Sequence, residues 1–206
     1  MLETDFIPAH HPNSKDLLIA LHGLGDSMEG YRWLPKALNL PSLNILLVNA
    51  PDSYYGGFSW YDFANDPAPG VERSYRLLAG LLDSRSEQGF PSERTILFGF
   101  SQGCLMAFET GLRYPRKLAG LVGVSGYVHE PARLLKLASP AAAEQAFLIT
   151  HGTRDAMIPA ARVRPQTEQL RQAGLNIAFE EYDKDHTIIE PELHRIRAWV
   201  AERLAK

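Results

Sequence analysis

One cysteine, Cys104, is all the thiol chemistry this 206-residue chain possesses. A disulfide within the chain is excluded, and so is a cysteine-rich metal site. A surplus of either charge is also missing: 21 Lys and Arg against 24 Asp and Glu leave a formal net charge of −3. Without a basic excess to neutralise a phosphate backbone, nucleic acid is not an expected partner. No apolar run reaches the ~18 residues that a membrane-spanning helix needs, so stable membrane insertion is not expected either. The opening stretch MLETDFIPAHHPNSK carries acids and lacks a basic segment followed by an apolar one, so it does not read as a secretion signal. Internal repeats, low-complexity tracts and a linker able to split the chain are absent. What is present is ordinary for a globular fold: 45% hydrophobic and 22% charged residues, too apolar and too nearly neutral for disorder. The length suits a single domain over residues 1–206, and the expected location is cytoplasmic.

Short apolar runs alternate with helix-compatible segments. Residues 16–22, 44–50, 95–100, 120–125, 146–151 and 176–182 read as strands. The first five are almost continuously apolar, as strands covered on both faces are. Helices are expected over residues 31–38, 71–88, 102–114, 132–138, 160–173 and 192–204, with Pro165 delaying the start of the fifth. In the last, Leu193, Ile196, Val200 and Leu204 recur at helical spacing beside Trp199. Pro191 suits the first turn of that helix, and Gly174 suits the end of the one before it. The alternation predicts an α/β fold with a mostly parallel central sheet and helices on both faces. Such sheets bind ligands beyond the carboxyl ends of their strands. The residues there are His22-Gly23-Leu24-Gly25-Asp26, Pro51-Asp52, Ser101-Gln102-Gly103, Ser125-Gly126 and His151-Gly152. Residues 51–70 form the longest irregular stretch, and long loops in small domains are usually functional.

Gly99-Phe100-Ser101-Gln102-Gly103 fits the G-x-S-x-G pattern. The pattern is weak alone, but here an apolar run, TILFGF, enters it and a helix-compatible segment, QGCLMAFETGLRY, leaves it. A strand–serine–helix turn is the setting of a nucleophile elbow, in which side chains in place of the flanking glycines would collide with strand or helix. The same turn sets the backbone N–H of Gln102 at a helix N-terminus, facing any anion that develops above Ser101. The nearby Gly123-Val124-Ser125-Gly126-Tyr127 lacks the second glycine at the required spacing.

A serine hydroxyl needs a base, usually an oriented histidine, and in α/β-hydrolases the chain order is serine, acid, histidine. Four histidines follow Ser101. His129 comes too early to leave room for an acid, His194 falls in the last helix, and His151 reads as the end of a strand. His186 lies in the polar loop DKDHT between the last strand and the last helix, and it is the candidate base. Asp155, in HGTRDAMIP, is favoured as the acid over Asp183 and Asp185, because a separate loop can turn a carboxylate onto the ring where an immediate neighbour seldom can. The second anion-binding N–H is assigned to Leu24, in the glycine-bearing loop after the first apolar run. That loop is not a dinucleotide fingerprint, since Met28 stands where G-x-G-x-x-G needs glycine. His22 reads as a structural residue that holds the loop.

Taken together, these segments resemble the phospholipase/carboxylesterase family of small serine α/β-hydrolases, which includes acyl-protein thioesterases and bacterial carboxylesterases. The pieces that carry the likeness are His22-Gly23-Leu24-Gly25-Asp26, Phe58-Ser59-Trp60-Tyr61-Asp62, Gly99-Phe100-Ser101-Gln102-Gly103, His151-Gly152 with Asp155 and Pro159, and Asp185-His186-Thr187. The resemblance implies Ser101 as nucleophile, His186 as base, Asp155 as acid, and an oxyanion hole from the backbone of Leu24 and Gln102. Neither a cofactor nor a metal is implied. Two positions depart from the family's habit: Cys104 follows the elbow where a glycine is frequent, and Asp185 precedes the histidine where glycine is frequent. Asp185 sets a carboxylate beside the base, an arrangement that raises histidine basicity, and Cys104 reads as a small packed residue.

The aromatic residues Tyr54, Tyr55, Phe58, Trp60, Tyr61 and Phe63 crowd the 51–70 stretch. They read either as a self-packed loop or as an apolar wall for an acyl chain. Phe58, Trp60, Tyr61, Tyr127 and Met157 are the candidate substrate contacts, with Ile158 beside them. The expected activity is hydrolysis of a small-molecule ester or thioester with small to medium acyl groups, lysophospholipids included, through an acyl-enzyme. The alternatives are a non-catalytic binding protein of the same fold and a peptidase or amidase with the same residues. A homodimer built on Trp33, Trp60 or Trp199 is a further alternative, though nothing in the sequence fixes a symmetry.

Overall fold

The computed structural model describes residues 1–205; Lys206, the last position of the expected domain, lies outside the described residues. The run Leu17 to Leu21 is at most 2% exposed, and that burial on both sides is what continuous hydrophobicity demanded. It forms β2 (Asp16–Leu21), an interior strand of a seven-stranded sheet. In chain order the other elements are β1 (Thr4–Ile7), α1 (Leu34–Leu38), β3 (Leu43–Val48), β4 (Asp52–Tyr54), β5 (Gly57–Ser59), α2 (Ala68–Glu87), β6 (Thr95–Phe100), α3 (Gln102–Arg113), β7 (Gly120–Val124), α4 (Pro131–Leu137), β8 (Ala146–Gly152), α5 (Ala160–Gln172), β9 (Asn176–Tyr182) and α6 (Glu190–Leu204). The strand order is β1-β3-β2-β6-β7-β8-β9, with every neighbouring pair parallel except β1 and β3.

Two apolar layers flank the sheet. One packs Leu78, Leu82, Leu105, Phe108, Leu134 and Leu170 from α2, α3, α4 and α5 against strand residues such as Ile19 and Leu97. The other packs Leu34 and Leu38 of α1 with Ile196, Trp199 and Val200 of α6 against residues such as Leu18 and Phe98. Each fully buried Leu or Ile contributes roughly 1.5–3 kcal/mol over exposure. Helix α3 is buried from Gln102 to Leu112, so the segment behind the elbow is held on all sides.

The structure adds to and corrects the expected elements. Edge strand β1 was not anticipated, and the 51–70 stretch contains the β4–β5 hairpin and the start of α2 instead of being wholly irregular. Pro165 does not delay α5, which runs unbroken from Ala160. Both Pro165 and Ala161, whose carbonyl loses its helical donor, are exposed, so the lost bond falls on the solvent side of the helix. Trp60 and Trp199, considered for an interface between copies, are 0% and 6% exposed and belong to the interior. Among the described residues no helix is long and apolar enough to cross a membrane.

Candidate active site

Strand β6 delivers the chain to Ser101, whose φ of 53° and ψ of −113° lie outside the regions that serine favours. Such strain costs about 1–3 kcal/mol and persists only where the surroundings enforce it. The flanking glycines show how. A Cβ on Gly99 would run into the carbonyl of Gly103, and one on Gly103 would run into the carbonyl of Leu21. Strand β6, strand β2 and helix α3 therefore meet backbone to backbone, and the serine between the glycines is pushed out at the carboxyl edge of the sheet.

His186 is brought to that edge from 85 residues away, its Nε2 3.0 Å from Ser101 Oγ. Its Nδ1 stands 2.7 Å from Asp155 Oδ2. The carboxylate can only accept at neutral pH, so Nδ1–H donates to it and Nε2 is left bare to accept from the serine hydroxyl. Asp155 is fixed in turn: its Oδ1 accepts from the backbone N–H of Met157 at 3.0 Å and of Ile158 at 2.8 Å. The imidazole leans on Phe100, with ring centroids 5.0 Å apart. The turn that carries His186 is tied to the turn that carries Asp155, since the N–H of Arg154 donates to the Lys184 carbonyl at 3.1 Å. Gly152 lets the two turns approach, because a Cβ there would collide with that same carbonyl.

The backbone N–H groups of Leu24 and Gln102 find no hydrogen-bond acceptor among the described residues. Gln102 is the first residue of α3, where N–H groups have no intrahelical partner. The loop is bonded just past Leu24: Gly25 N–H donates to Phe58 O at 2.9 Å and Phe58 N–H to Asp26 O at 2.8 Å. This pair of bonds lashes β5 to the loop. Gly57 has to be glycine there, since a Cβ would strike the Gly25 carbonyl.

A pocket of about 80 Å³ opens beside Ser101, lined by Leu24, Tyr61, Phe63, Gln102, Tyr127, Met157, Ile158 and His186. Of the expected substrate contacts, Tyr61, Tyr127 and Met157 are on its wall. Phe58 and Trp60 are not. Trp60 is fully buried, its indole N–H donating to His22 O at 2.9 Å, and Phe58 packs on the core beside the His22 ring. Both support the wall from behind. Tyr61 and Tyr127 meet through their hydroxyls at 3.3 Å, and burial pushes the Tyr61 phenol well above its ordinary value. The Asp185 carboxylate is not turned on the base: it lies 3.5 Å from Arg154 Nε in solvent, and Asp183 pairs with the same guanidinium at 2.8 Å. His194 is exposed beside Glu190, and His129 lies beside Glu130, so neither approaches Ser101.

This geometry is matched by kinship. The family model described as Phospholipase/Carboxylesterase covers residues 2–203. The chain belongs to that family. It is 32% identical over 155 residues to an acyl-protein thioesterase 1 of Schizosaccharomyces pombe, covering 69% of each chain. Among solved structures it resembles esterase PE8, with a TM-score of 0.88, 28% identity, and coverage of 98% of this chain and 99% of that one. Zea mays acyl-protein thioesterase 2 superposes with a TM-score of 0.83 at 26% identity, covering 98% and 99%. The fold is that of the α/β-hydrolases.

Around this family's site His22 and Cys104 keep the structural roles read from the sequence, while Gln102, His151 and Lys184 have roles that the sequence did not disclose. The Gln102 side chain is buried and pins the aromatic segment: its Oε1 accepts from Trp60 N–H at 2.9 Å and its Nε2 donates to Tyr61 O at 3.0 Å. His22 Nδ1–H donates to Gly23 O at 2.6 Å, while Nε2 accepts from Ala50 N–H at 3.0 Å. Burial lowers its pKa, which suits a neutral bracket for the Leu24 loop. His151 is buried 3.7 Å from Asp155; burial lowers its pKa too, and its Nε2–H donates to Ile158 O at 2.8 Å. Cys104 sits where an added Cβ on Gly123 or Gly126 would collide with it, so those glycines make room for its sulfur. Burial pushes the thiol up to about 12, which keeps it protonated. Lys184, two residues before His186, is buried as well. The role of Gln102 leaves no local pattern, because its partners at Trp60 and Tyr61 are distant in sequence.

Proposed function

We propose that this carboxylesterase/thioesterase-type serine hydrolase cleaves carboxylic esters of small to medium acyl groups through an acyl-enzyme on Ser101. The support is one observation: an imidazole that accepts at 3.0 Å from the serine hydroxyl and donates at 2.7 Å to a carboxylate held by two backbone N–H groups. In this reading His186 Nε2 takes the Ser101 proton while Oγ bonds to the carbonyl carbon. The carbonyl oxygen becomes an oxyanion and receives the N–H groups of Leu24 and Gln102; losing one such donor typically costs about 10²–10³ in rate. The intermediate collapses, the bond to the leaving oxygen or sulfur breaks, and that atom leaves with the proton from Nε2. Water then attacks the acyl-serine, gives its proton to the same nitrogen, and the carboxylic acid is released as Ser101 recovers its hydrogen. Asp155 holds the ring in one tautomer and stabilises the imidazolium.

The pocket supports the acyl size. The pocket beside Ser101 is small, about 80 Å³. Its walls are mostly apolar, which suits an aliphatic group. Thioesters fit the same chemistry, and the name of the fission-yeast relative makes them the second substrate class to test. The test is a series of p-nitrophenyl esters from acetyl to palmitoyl, with the matching anilides and an acyl thioester. The expected kcat/KM is highest for the short to medium acyl chains, falls at least tenfold by palmitoyl, and is negligible for the anilides. A steady rise toward palmitoyl overturns the acyl assignment. Good cleavage of anilides would make the protein a peptidase or amidase, and no turnover by the native protein would leave it a binding protein.

A further inference from the structure

A charged pair lies in the interior, its lysine two residues before His186, apart from the residues that the mechanism uses. Lys184 is 2% exposed and Glu192 is 0% exposed. Lysine is almost never so buried unless it is paired. Sealing two such charges away costs several kcal/mol for each ion, and apolar residues of the same volume often serve stability as well or better. The fold alone therefore gives no reason to keep them.

Their contacts give one. The Lys184 ammonium has three protons and spends them on Glu192, at 2.7 and 2.8 Å from its two oxygens, on Ser125 Oγ at 3.0 Å and on the Thr187 carbonyl at 2.6 Å. Thr187 is the residue after His186. Ser125 follows β7, next to the Val124 carbonyl that receives the Ser101 N–H at 2.9 Å. Glu192 is in the first turn of α6, where it also receives the Ile189 N–H at 3.3 Å. The Lys184 main chain completes the set by receiving the Arg154 N–H from the Asp155 turn. One side chain thus ties the base loop, on both sides of His186, to the platform under Ser101 and to α6, while its own carbonyl ties it to the acid's turn.

We propose that the buried Lys184–Glu192 pair positions His186 between Ser101 and Asp155, so that Lys184 and Glu192 act on the reaction through the base without touching substrate. The inference rests on the esterase reading above. Glu192 from α6 and Asp155 from the β8–α5 turn attract the ammonium, while burial lowers the pKa of the nearby His151 and favours its neutral form. Replacing both charges by apolar residues separates positioning from stability, because it leaves no lone charge in the interior.

The experiment compares the native protein with Ser125→Ala, Lys184→Met and the double variant Lys184→Met/Glu192→Leu, reading Tm, kcat, KM and the acid limb of the pH profile of kcat/KM. Positioning predicts that the double variant melts close to the native protein yet has a kcat at least tenfold lower, an unchanged KM and a displaced acid limb. Ser125→Ala removes one anchor of the ammonium without stranding a charge partner, and is expected to lower kcat severalfold, again at constant KM. A double variant with native kcat and pH profile overturns the proposal. If the double variant does not fold, Ser125→Ala decides alone, and a native kcat in it overturns the proposal. A native protein without esterase activity removes the esterase reading, and this inference with it.

Discussion

Ser101 holds a conformation that a free serine would leave, and the price is met by glycines whose missing side chains let three backbones touch. The same dependence on single atoms runs through its partners. Asp155 receives three N–H groups, one of them from the imidazole, so Asp155→Asn would place an amide where only an acceptor is tolerated and favour the wrong imidazole tautomer. The expected result is a fall of about 10⁴ in kcat with little change in KM, measured on the best p-nitrophenyl ester. A loss under tenfold would mean that the imidazole is oriented by something else. At this scale the sequence was legible where chemistry and chain order coincide. Ser101 stood in a glycine-flanked strand–helix turn, and His186 was the one downstream histidine in a polar loop after the last strand. Legibility ended where a side chain acts through distant partners. Gln102 reaches the backbone of residues 60 and 61, and Lys184 reaches Ser125 and Glu192. Asp185 was misjudged because adjacency in sequence says nothing about where a carboxylate turns, and Arg154 claims it.

Among the elements, the central strands were plain because burial on both faces leaves a run with no polar alternation. Strand β1 escaped notice because it is a half-exposed edge of four residues, and β4 and β5 because three residues are too few to show a period. Yet the hairpin matters to the site, since β5 holds the loop that presents the Leu24 N–H. Gly57→Ala is therefore expected to push the Gly25 carbonyl aside and misplace that donor. The measured consequence should be a drop of about 10²–10³ in kcat with a smaller relative effect on KM. Native kcat in a folded Gly57→Ala protein would separate the hairpin from anion binding. Pro165 in α5 is tolerated on a helix face that is open to solvent.

The molecule as a whole couples stability to pH through histidines that its core keeps neutral. Burial lowers the pKa of both His22 and His151. The unfolded chain binds protons at these residues from about pH 6.5 downward, where the folded chain still refuses them. Their contribution is therefore complete above pH 6.5 and is lost progressively as pH falls below it toward the lowered folded-state values. Tm is expected to decline between pH 7.5 and 5.5, and His151→Gln should flatten that decline even if it lowers Tm at neutral pH. An equal slope in the variant would show that His151 does not titrate on unfolding. The same whole-molecule view bears on activity. Residues 101, 155 and 186 belong to three separate loops at one edge of the sheet, and only the folded chain sets them in contact. The proposed chemistry requires that this contact make the serine reactive. Treating the native protein with a fluorophosphonate and locating the adduct by peptide mass spectrometry asks this directly. The expected result is one label, on Ser101, absent from Ser101→Ala and formed far more slowly in His186→Ala. A native protein that stays unlabelled, or that carries the label elsewhere, would contradict it.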